Sequence, residues 1–341
     1  TRRLYYEDVY KKEFTAKVLE CREAKKGFHI ILDESAFYPE GGGQPSDTGY
    51  LNDVKVKEVH EKEGELLHYT DQPMKAGTEV QGRIDWARRF DLMQQHSGEH
   101  MVSGLIHEAY GYDNVGFHMG SDTITVDLNG SLDEAQLAEI ERKTNEKIWE
   151  DTEVKILYPT AEELEKIDYR SKKEITGQVR IVEIPGYDVC ACCAPHVKLT
   201  GEVGIIRLID AVKYKGGTRV TMVCGFRALK DYRMKEDNVR EISRLLSARP
   251  EESAQAVHRL QEEAHMWKDK LVRSQTRAME QILDNLREYM DVDSLGIMQN
   301  AYATVSDVLN DNVWEFNGGL YLVRGGRGYG VYDYDPQTLR I

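Results

Sequence analysis

The period of the apolar residues changes along this chain, and no single regular architecture accommodates all of it. Before about residue 90, the stretches FTAKVLEC, FHIILD, VKVKEVH, ELLHYT and EVQGRID partly alternate between apolar and polar, with Gly, Asp or Pro turns between them. Such alternation specifies strands with one buried face, and a small barrel or curled sheet is the economical arrangement. From Arg88 the spacing changes: Phe90, Met93, Met101, Leu105 and Ile106 recur close to the helical period, which predicts a helix.

Beyond that helix, TITVDL, a charged helix from Leu132 to Glu150, VKILYP, a short helix, VRIVEI, GIIRLIDAV and TRVTMVC read as a mixed α/β segment ending near Arg227. Residues 228–247 and 251–290 are nearly free of Gly, and Pro250 sits where a first helical turn tolerates its missing N–H. Val257, Leu260, Ala264, Trp267, Leu271, Ser274 and Ala278 alternate by three and four residues, the spacing of a coiled-coil seam. The short connection predicts an antiparallel hairpin, with pairing to another subunit as the alternative. Near the end, LYLVRGGRGYGVYDYD reads as two short strands around a Gly-Arg turn. The expected fold class is therefore α+β: a β-barrel-like domain over residues 1–90, a mixed α/β domain over 91–227, a helical hairpin or coiled coil over 228–290, and a small C-terminal α/β piece over 291–341.

No apolar run is long enough to span a bilayer, and the opening TRRLYYEDVYKKEF lacks the apolar centre of a secretion signal, so a cytosolic protein with no membrane partner is expected. Five cysteines, an odd number with three packed together, disfavour a disulfide framework and favour reduced thiols or metal ligation. The net charge of −14 argues against a nucleic-acid partner at first sight. A local patch on an acidic body suffices, however. Three clusters are candidates: Arg83, Arg88 and Arg89; Arg170, Lys172 and Lys173; and Lys213, Lys215 and Arg219.

The chemistry-bearing residues fall in three stretches. HSGEH places His96 and His100 one helical turn apart, within reach of a common ion. Glu99 is not in the position a zinc protease needs. In DVCACCAPHVKLTG, Cys192 and His196 share the same four-residue offset, between the strands VRIVEI and GIIRLIDAV. Two such pairs would give zinc the nitrogen and thiolate donors it prefers, with Cys190 and Cys193 as competing ligands and a buried thiol cluster as the plain alternative. In ESAFYPEGGGQPSDTG, the run Gly41, Gly42 and Gly43 is costly to order unless the backbone must approach something closely or adopt positive φ. It is no phosphate loop, since no Gly-Lys-Ser/Thr and no helix follow it.

SAFYPEGGGQP, QQHSGEH and CCAPHVKLTGEVG, in that order, resemble the editing domain of alanyl-tRNA synthetase and its free-standing relatives, the AlaX trans-editing proteins, over residues 5–227. The helices and C-terminal piece resemble the long form, whose tail is related to the synthetase's C-terminal domain. The resemblance implies a zinc-dependent, ATP-independent hydrolase that deacylates tRNA(Ala) carrying serine or glycine. It implies Zn2+ held by His96, His100, Cys192 and His196, with Cys190 and Cys193 as packing neighbours. Between Cys192 and His196 the family usually has two glycines and a threonine, where this chain has Cys193, Ala194 and Pro195. Ser35 stands where the family commonly has threonine, so its hydroxyl is expected to recognise the substrate's serine side chain, which would leave a polar group unpaired when alanine enters. Gly41, Gly42, Gly43 and Gln44 are expected to give donors to the reacting carbonyl. Neither residues 1–227 nor the remainder has a basic excess, so tRNA binding should rest on local clusters. A homodimer through the helical and C-terminal segments, and a tRNA-binding or scaffolding protein braced by zinc, complete the expectations.

Overall fold

The computed structural model describes residues 1–171, 177–289, 313–316 and 319–322. The fold is mixed α/β and comprises two units, Thr1–Glu236 and Asp237–Ile341. The first opens with β1 (Arg2–Arg3) and the one-turn helix α1 (Leu4–Glu7). It continues with β2 (Glu13–Ala24), β3 (Gly27–Leu32), β4 (Glu34–Ser35), β5 (Gly49–Leu51), β6 (Val54–Lys62), β7 (Glu65–Thr70) and β8 (Glu79–Ile84). Six of these strands close a barrel in the order β2-β3-β7-β6-β5-β8, every neighbouring pair antiparallel. Closure leaves no unpaired edge. The alternation in the sequence is what fills it: Phe14, Ala16 and Val18 on β2 and Val80 and Ile84 on β8 point inward, beside Ile30, Leu32, Leu51, Val56, Val59 and Leu66.

Helix α2 (Trp86–Tyr110) starts at Asp85, whose side chain accepts the Arg88 N–H, and stops at Gly111 in the left-handed conformation. Its first turn is locked to the barrel by Arg89, fully buried, whose Nε donates to both carboxylate oxygens of Asp47 at 3.0 and 2.9 Å. The other guanidinium nitrogens donate to the carbonyls of Val9 (3.0 Å) and Ala36 (2.6 Å). Asp47 in turn accepts the Tyr38 N–H at 2.7 Å. One buried arginine therefore fixes both ends of the glycine-rich segment between β4 and β5.

The sequence suggested one apolar face for this helix, but every residue from Leu92 to Ile106 is buried. Its two buried glutamines bond to strand and loop backbone: Gln95 exchanges two hydrogen bonds with Cys224, at 2.8 and 2.9 Å, and Gln94 donates to the Glu202 carbonyl at 2.9 Å. Around it lie β9 (Asn114–Met119), β10 (Ile124–Leu128), α3 (Glu134–Trp149), β11 (Lys155–Leu157), α4 (Ala161–Leu164), β12 (Ile181–Ile184), β13 (Asp188–Ala191), β14 (Ile206–Tyr214) and β15 (Gly217–Cys224). They form the antiparallel sheet β14-β15-β10-β9 and the smaller sheet β11-β12-β13. Leu92, Met93, Met101, Val102 and Ile106 join Ile124, Val126, Val220 and Met222 in one core.

Helix α5 (Gly225–Leu245) runs across the boundary between the units, and in the second unit α6 (Ser253–Tyr289) follows a turn that opens at Pro250. Ser243 and Ala256 are buried beside the joint. The expected hairpin does not cover the heptad seam among the described residues: Val257, Leu260, Trp267 and Leu271 remain 38, 52, 62 and 58% exposed. The last described elements, β16 (Val313–Phe316) and β17 (Gly319–Leu322), pair antiparallel. Thus LYL pairs with the preceding VWEF, and the Gly-Arg turn lies outside the described residues.

Candidate metal centre

His96 and His100 stand one turn apart on α2, while Cys192 and His196 lie just beyond β13. Helix and turn meet closely because position 104 is glycine: a Cβ there would lie 2.2 Å from the Tyr187 carbonyl oxygen in the turn between β12 and β13. The result is one buried group in which the ligand atoms of His96, His100, Cys192 and His196 all lie within 4.8 Å of one another. Cys192 Sγ is 3.6 Å from Nε2 of His96 and 3.4 Å from Nε2 of His196. A tetrahedral zinc with ordinary bond lengths would hold nitrogen and sulfur donors about 3.5 Å apart, so the donor set fits.

The outer nitrogens are equally specified. His100 Nδ1–H donates to Asp188 Oδ2 at 2.8 Å, and Asp188 Oδ1 accepts Arg170 Nε at 2.8 Å. His96 Nδ1–H donates to Gln44 Oε1 at 2.9 Å. His196 Nδ1 is 3.1 Å from Ser97 Oγ, which also accepts the Val197 N–H at 3.2 Å. With each Nδ1 engaged, the Nε2 atoms of His96 and His196 are turned to Cys192 at the shared centre, and outer partners of this kind set ring orientation in metalloproteins. Burial pushes the His196 pKa down to about 3, with the nearby His100 adding to the effect. Burial opposes the Cys192 thiolate, but His96 and the hydrogen bonds from the histidines outweigh it and hold the thiol well below its ordinary range. Burial opposes the charged form of His100, but Cys190, Asp188 and Cys192 outweigh it and hold His100 well above its ordinary range. Neutral imidazole and thiolate are the forms that bind metal, so metal binding would release a proton here.

Beside the group opens a cavity of about 680 Å³, lined by His96, His100, Cys192, Gly42, Gly43 and Phe117 among others. The glycine run makes the turn that reaches it: Gly41 and Gln44 exchange backbone hydrogen bonds at 3.1 and 2.9 Å, and Gly42 and Gly43 between them have φ of +59° and +81°. A Cβ on Gly43 would also come within 2.7 Å of the Phe117 ring, so two constraints select glycine there.

Residues 4–88 match the family described as tRNA synthetases class II (A), and residues 179–241 match the threonyl and alanyl tRNA synthetase second additional domain. Alanyl-tRNA editing protein Aarsd1 of Bos taurus is 32% identical over 272 residues, covering 74% of this chain and 61% of that protein. Aarsd1-B of Xenopus laevis is 32% identical over 74% of this chain and 66% of its own length. Alanyl-tRNA editing protein AlaX-L of Pyrococcus horikoshii is 34% identical over 67% of this chain and 59% of that protein. The chain belongs to the AlaX-type alanyl-tRNA editing family. It spans less than two thirds of the length of these relatives.

In this AlaX-type chain the four expected ligand residues come together, with Gln44 behind His96. Cys190 groups instead with His100 and Asp188, and Cys193 is exposed with Sγ 3.4 Å from the Tyr38 hydroxyl. Gly41 is not among the residues lining the cavity, and its amide is engaged by Gln44. Ser35 is not brought to the cavity either: its fully buried hydroxyl is 2.8 Å from His68 Nε2 and accepts the Phe37 N–H at 3.1 Å. Because His68 Nδ1–H donates to the Ile30 carbonyl at 2.9 Å, His68 Nε2 must accept, and the Ser35 proton is committed to it. Both bonds hold Ser35 inside the barrel. Asp188 and Ser97, which orient two of the histidines, were not singled out from sequence. Asp188 opens the very stretch that carries Cys192, but an acidic residue there is equally at home on a solvated turn, and only its burial reveals the role.

The basic clusters change character once folded. Arg89 and Arg170 are tied to Asp47 and Asp188, and Arg219 pairs with Asp127 at 2.6 Å. Arg83, Lys213 and Lys215 are exposed, and Lys172 and Lys173 lie outside the described residues. No helix among the described residues is long and apolar enough to cross a membrane.

Proposed function

We propose that the chain is a zinc-dependent deacylase that clears serine, and also glycine, from tRNA(Ala). The observation that carries this reading is that three of the four ligand residues face a 680 Å³ cavity instead of being sealed in the core. Four protein donors are the usual count of a structural site, which favours the alternative of a tRNA-binding protein merely braced by metal. A brace, however, has no use for an adjoining cavity of ligand size.

Zinc held by His96, His100, Cys192 and His196 would supply Lewis-acid chemistry at the ester carbonyl. The chain's own residues do the rest. Asp188, Gln44 and Ser97 fix the imidazoles, and Arg170 neutralises Asp188. The Gly42–Gly43 turn brings main chain to the cavity without side-chain bulk, and Phe117 closes on it. Gln44 is fully buried and does not line the cavity, so in this reading it acts through His96, whose ring its Oε1 holds, and not as a donor to the substrate. Ser35 is assigned as a positioning residue that ties the start of the glycine-rich segment to His68. In the same reading residues 91–227 form the editing domain, exposed lysines and arginines hold the tRNA by salt-sensitive contacts, and the seam of α6 pairs two copies of the chain.

The test is incubation of the protein with tRNA(Ala) charged with serine, glycine or alanine. Loss of serine with alanine retained supports editing, loss of both indicates an unselective esterase, and loss of neither returns the brace. Cys192→Ala should abolish zinc content and deacylation together, and full activity in metal-stripped protein would end the zinc assignment.

A further inference from the structure

Arg3 and Arg180 both line the cavity, and each has a buried Nε with no hydrogen-bond partner among the described residues. Arg180 is only 8% exposed. Its Nη1 donates to the carbonyls of Cys192 (2.7 Å) and Ala194 (3.0 Å), which fixes the guanidinium against the ligand-bearing turn. No carboxylate among the described residues stands within ion-pair distance of it. Arg3 pairs through Nη2 with the half-exposed Glu61, leaving its Nε inside. A guanidinium cannot shed its proton, so a buried one without an anion is a standing cost to the fold unless something arrives to pair with it. Structural arginines are paired, as Arg89 is with Asp47 here. Arg180 is not.

The surroundings say what would arrive. The Tyr6 ring lies 5.7 Å from the Arg180 guanidinium carbon, and Tyr158 and Phe117 line the same cavity, so aromatic rings share it with the two cations. Cationic forks beside aromatic faces suit a nucleotide, with phosphate on the forks and base on the rings. In an aminoacylated tRNA the ester and the phosphodiester are carried by one terminal ribose, so a ligand whose ester lies at the histidines presents that phosphate within the same cavity. We propose that Arg180 and Arg3 form an anion subsite for the phosphodiester of the terminal nucleotide. This rests on the deacylase reading above and extends it to how the acceptor end is gripped.

The test uses binding alone. Calorimetry on the zinc-loaded full chain compares the dinucleotide CpA with its uncharged methylphosphonate analogue, identical but for the linkage charge. The wild type should prefer the phosphodiester by about tenfold, the scale of a charge-assisted hydrogen bond. Arg180→Gln and Arg3→Gln should each shrink that preference, with zinc content retained as the check on the ligand turn. Arg3 has no hydrogen bond to the turn, so its variant keeps the test open should Arg180→Gln fail to fold. Equal or undetectable binding of the two dinucleotides by the wild type, or a preference that survives both substitutions, overturns the subsite. A charge preference that vanishes in the variants, in a protein that deacylates nothing, would leave the subsite standing and reject the deacylase.

Discussion

A ring nitrogen is turned toward the shared centre here by what its opposite nitrogen touches, and each histidine has a different partner: a carboxylate, an amide and a hydroxyl. The same logic without metal governs His68, wholly buried between Ile30 and Ser35. Burial lowers its pKa from 6.5 to about 4. The unfolded chain takes up this proton below about pH 6.5, whereas the folded chain refuses it until about pH 4. Stability is therefore intact above that window and falls as pH drops through it, by about 1.4 kcal/mol per unit from this one group. Urea unfolding at pH 7 and pH 5 should show the wild type losing about 2 kcal/mol more than His68→Gln over that interval. Parallel losses in both proteins would mean that His68 takes up its proton at the same pH folded and unfolded.

At the scale of elements, the glycine-rich segment is placed by α2 and not by its own sequence. Arg89 spans from the helix to Asp47, Ala36 and Val9, so barrel, segment and helix share one buried ion. Arg89→Met would strand the Asp47 carboxylate in the core at a cost of about 3–5 kcal/mol, whereas Arg89→Met with Asp47→Asn removes the stranded charge and should recover part of it. Chemical denaturation of both variants decides. A single variant within 1 kcal/mol of wild type would mean that water reaches Asp47. The residue was legible as basic in the sequence, and a surface patch was the natural reading. Its true role depends on an aspartate 42 positions away that no local pattern marks.

For the whole molecule, the exposed seam on α6 is the feature left over when each unit is considered alone. Apolar side chains at heptad spacing, Trp267 and Leu271 among them, are exposed where a second helix would cover them. Sedimentation velocity at micromolar concentration should find a dimer, and Leu271→Glu should return a monomer without altering the zinc content of the first unit; a monomeric wild type would dismiss the pairing. Sequence by itself determined the strands of residues 1–90, the long helix around Arg88, the pairs His96/His100 and Cys192/His196 as candidate donors beside the competing Cys190 and Cys193, and the need for glycine at the turn. These follow from periodicity, ligand chemistry and φ, all of which are local or repeat along the chain. Only the tertiary structure decided which cysteine faces the histidines, which side chains hold their rings, that Ser35 turns into the barrel, and that Arg180 is buried without an anion among the described residues. Each of those depends on two segments far apart in sequence meeting at close range, and burial, which makes a hydrogen bond or a charge consequential, does not exist until they meet.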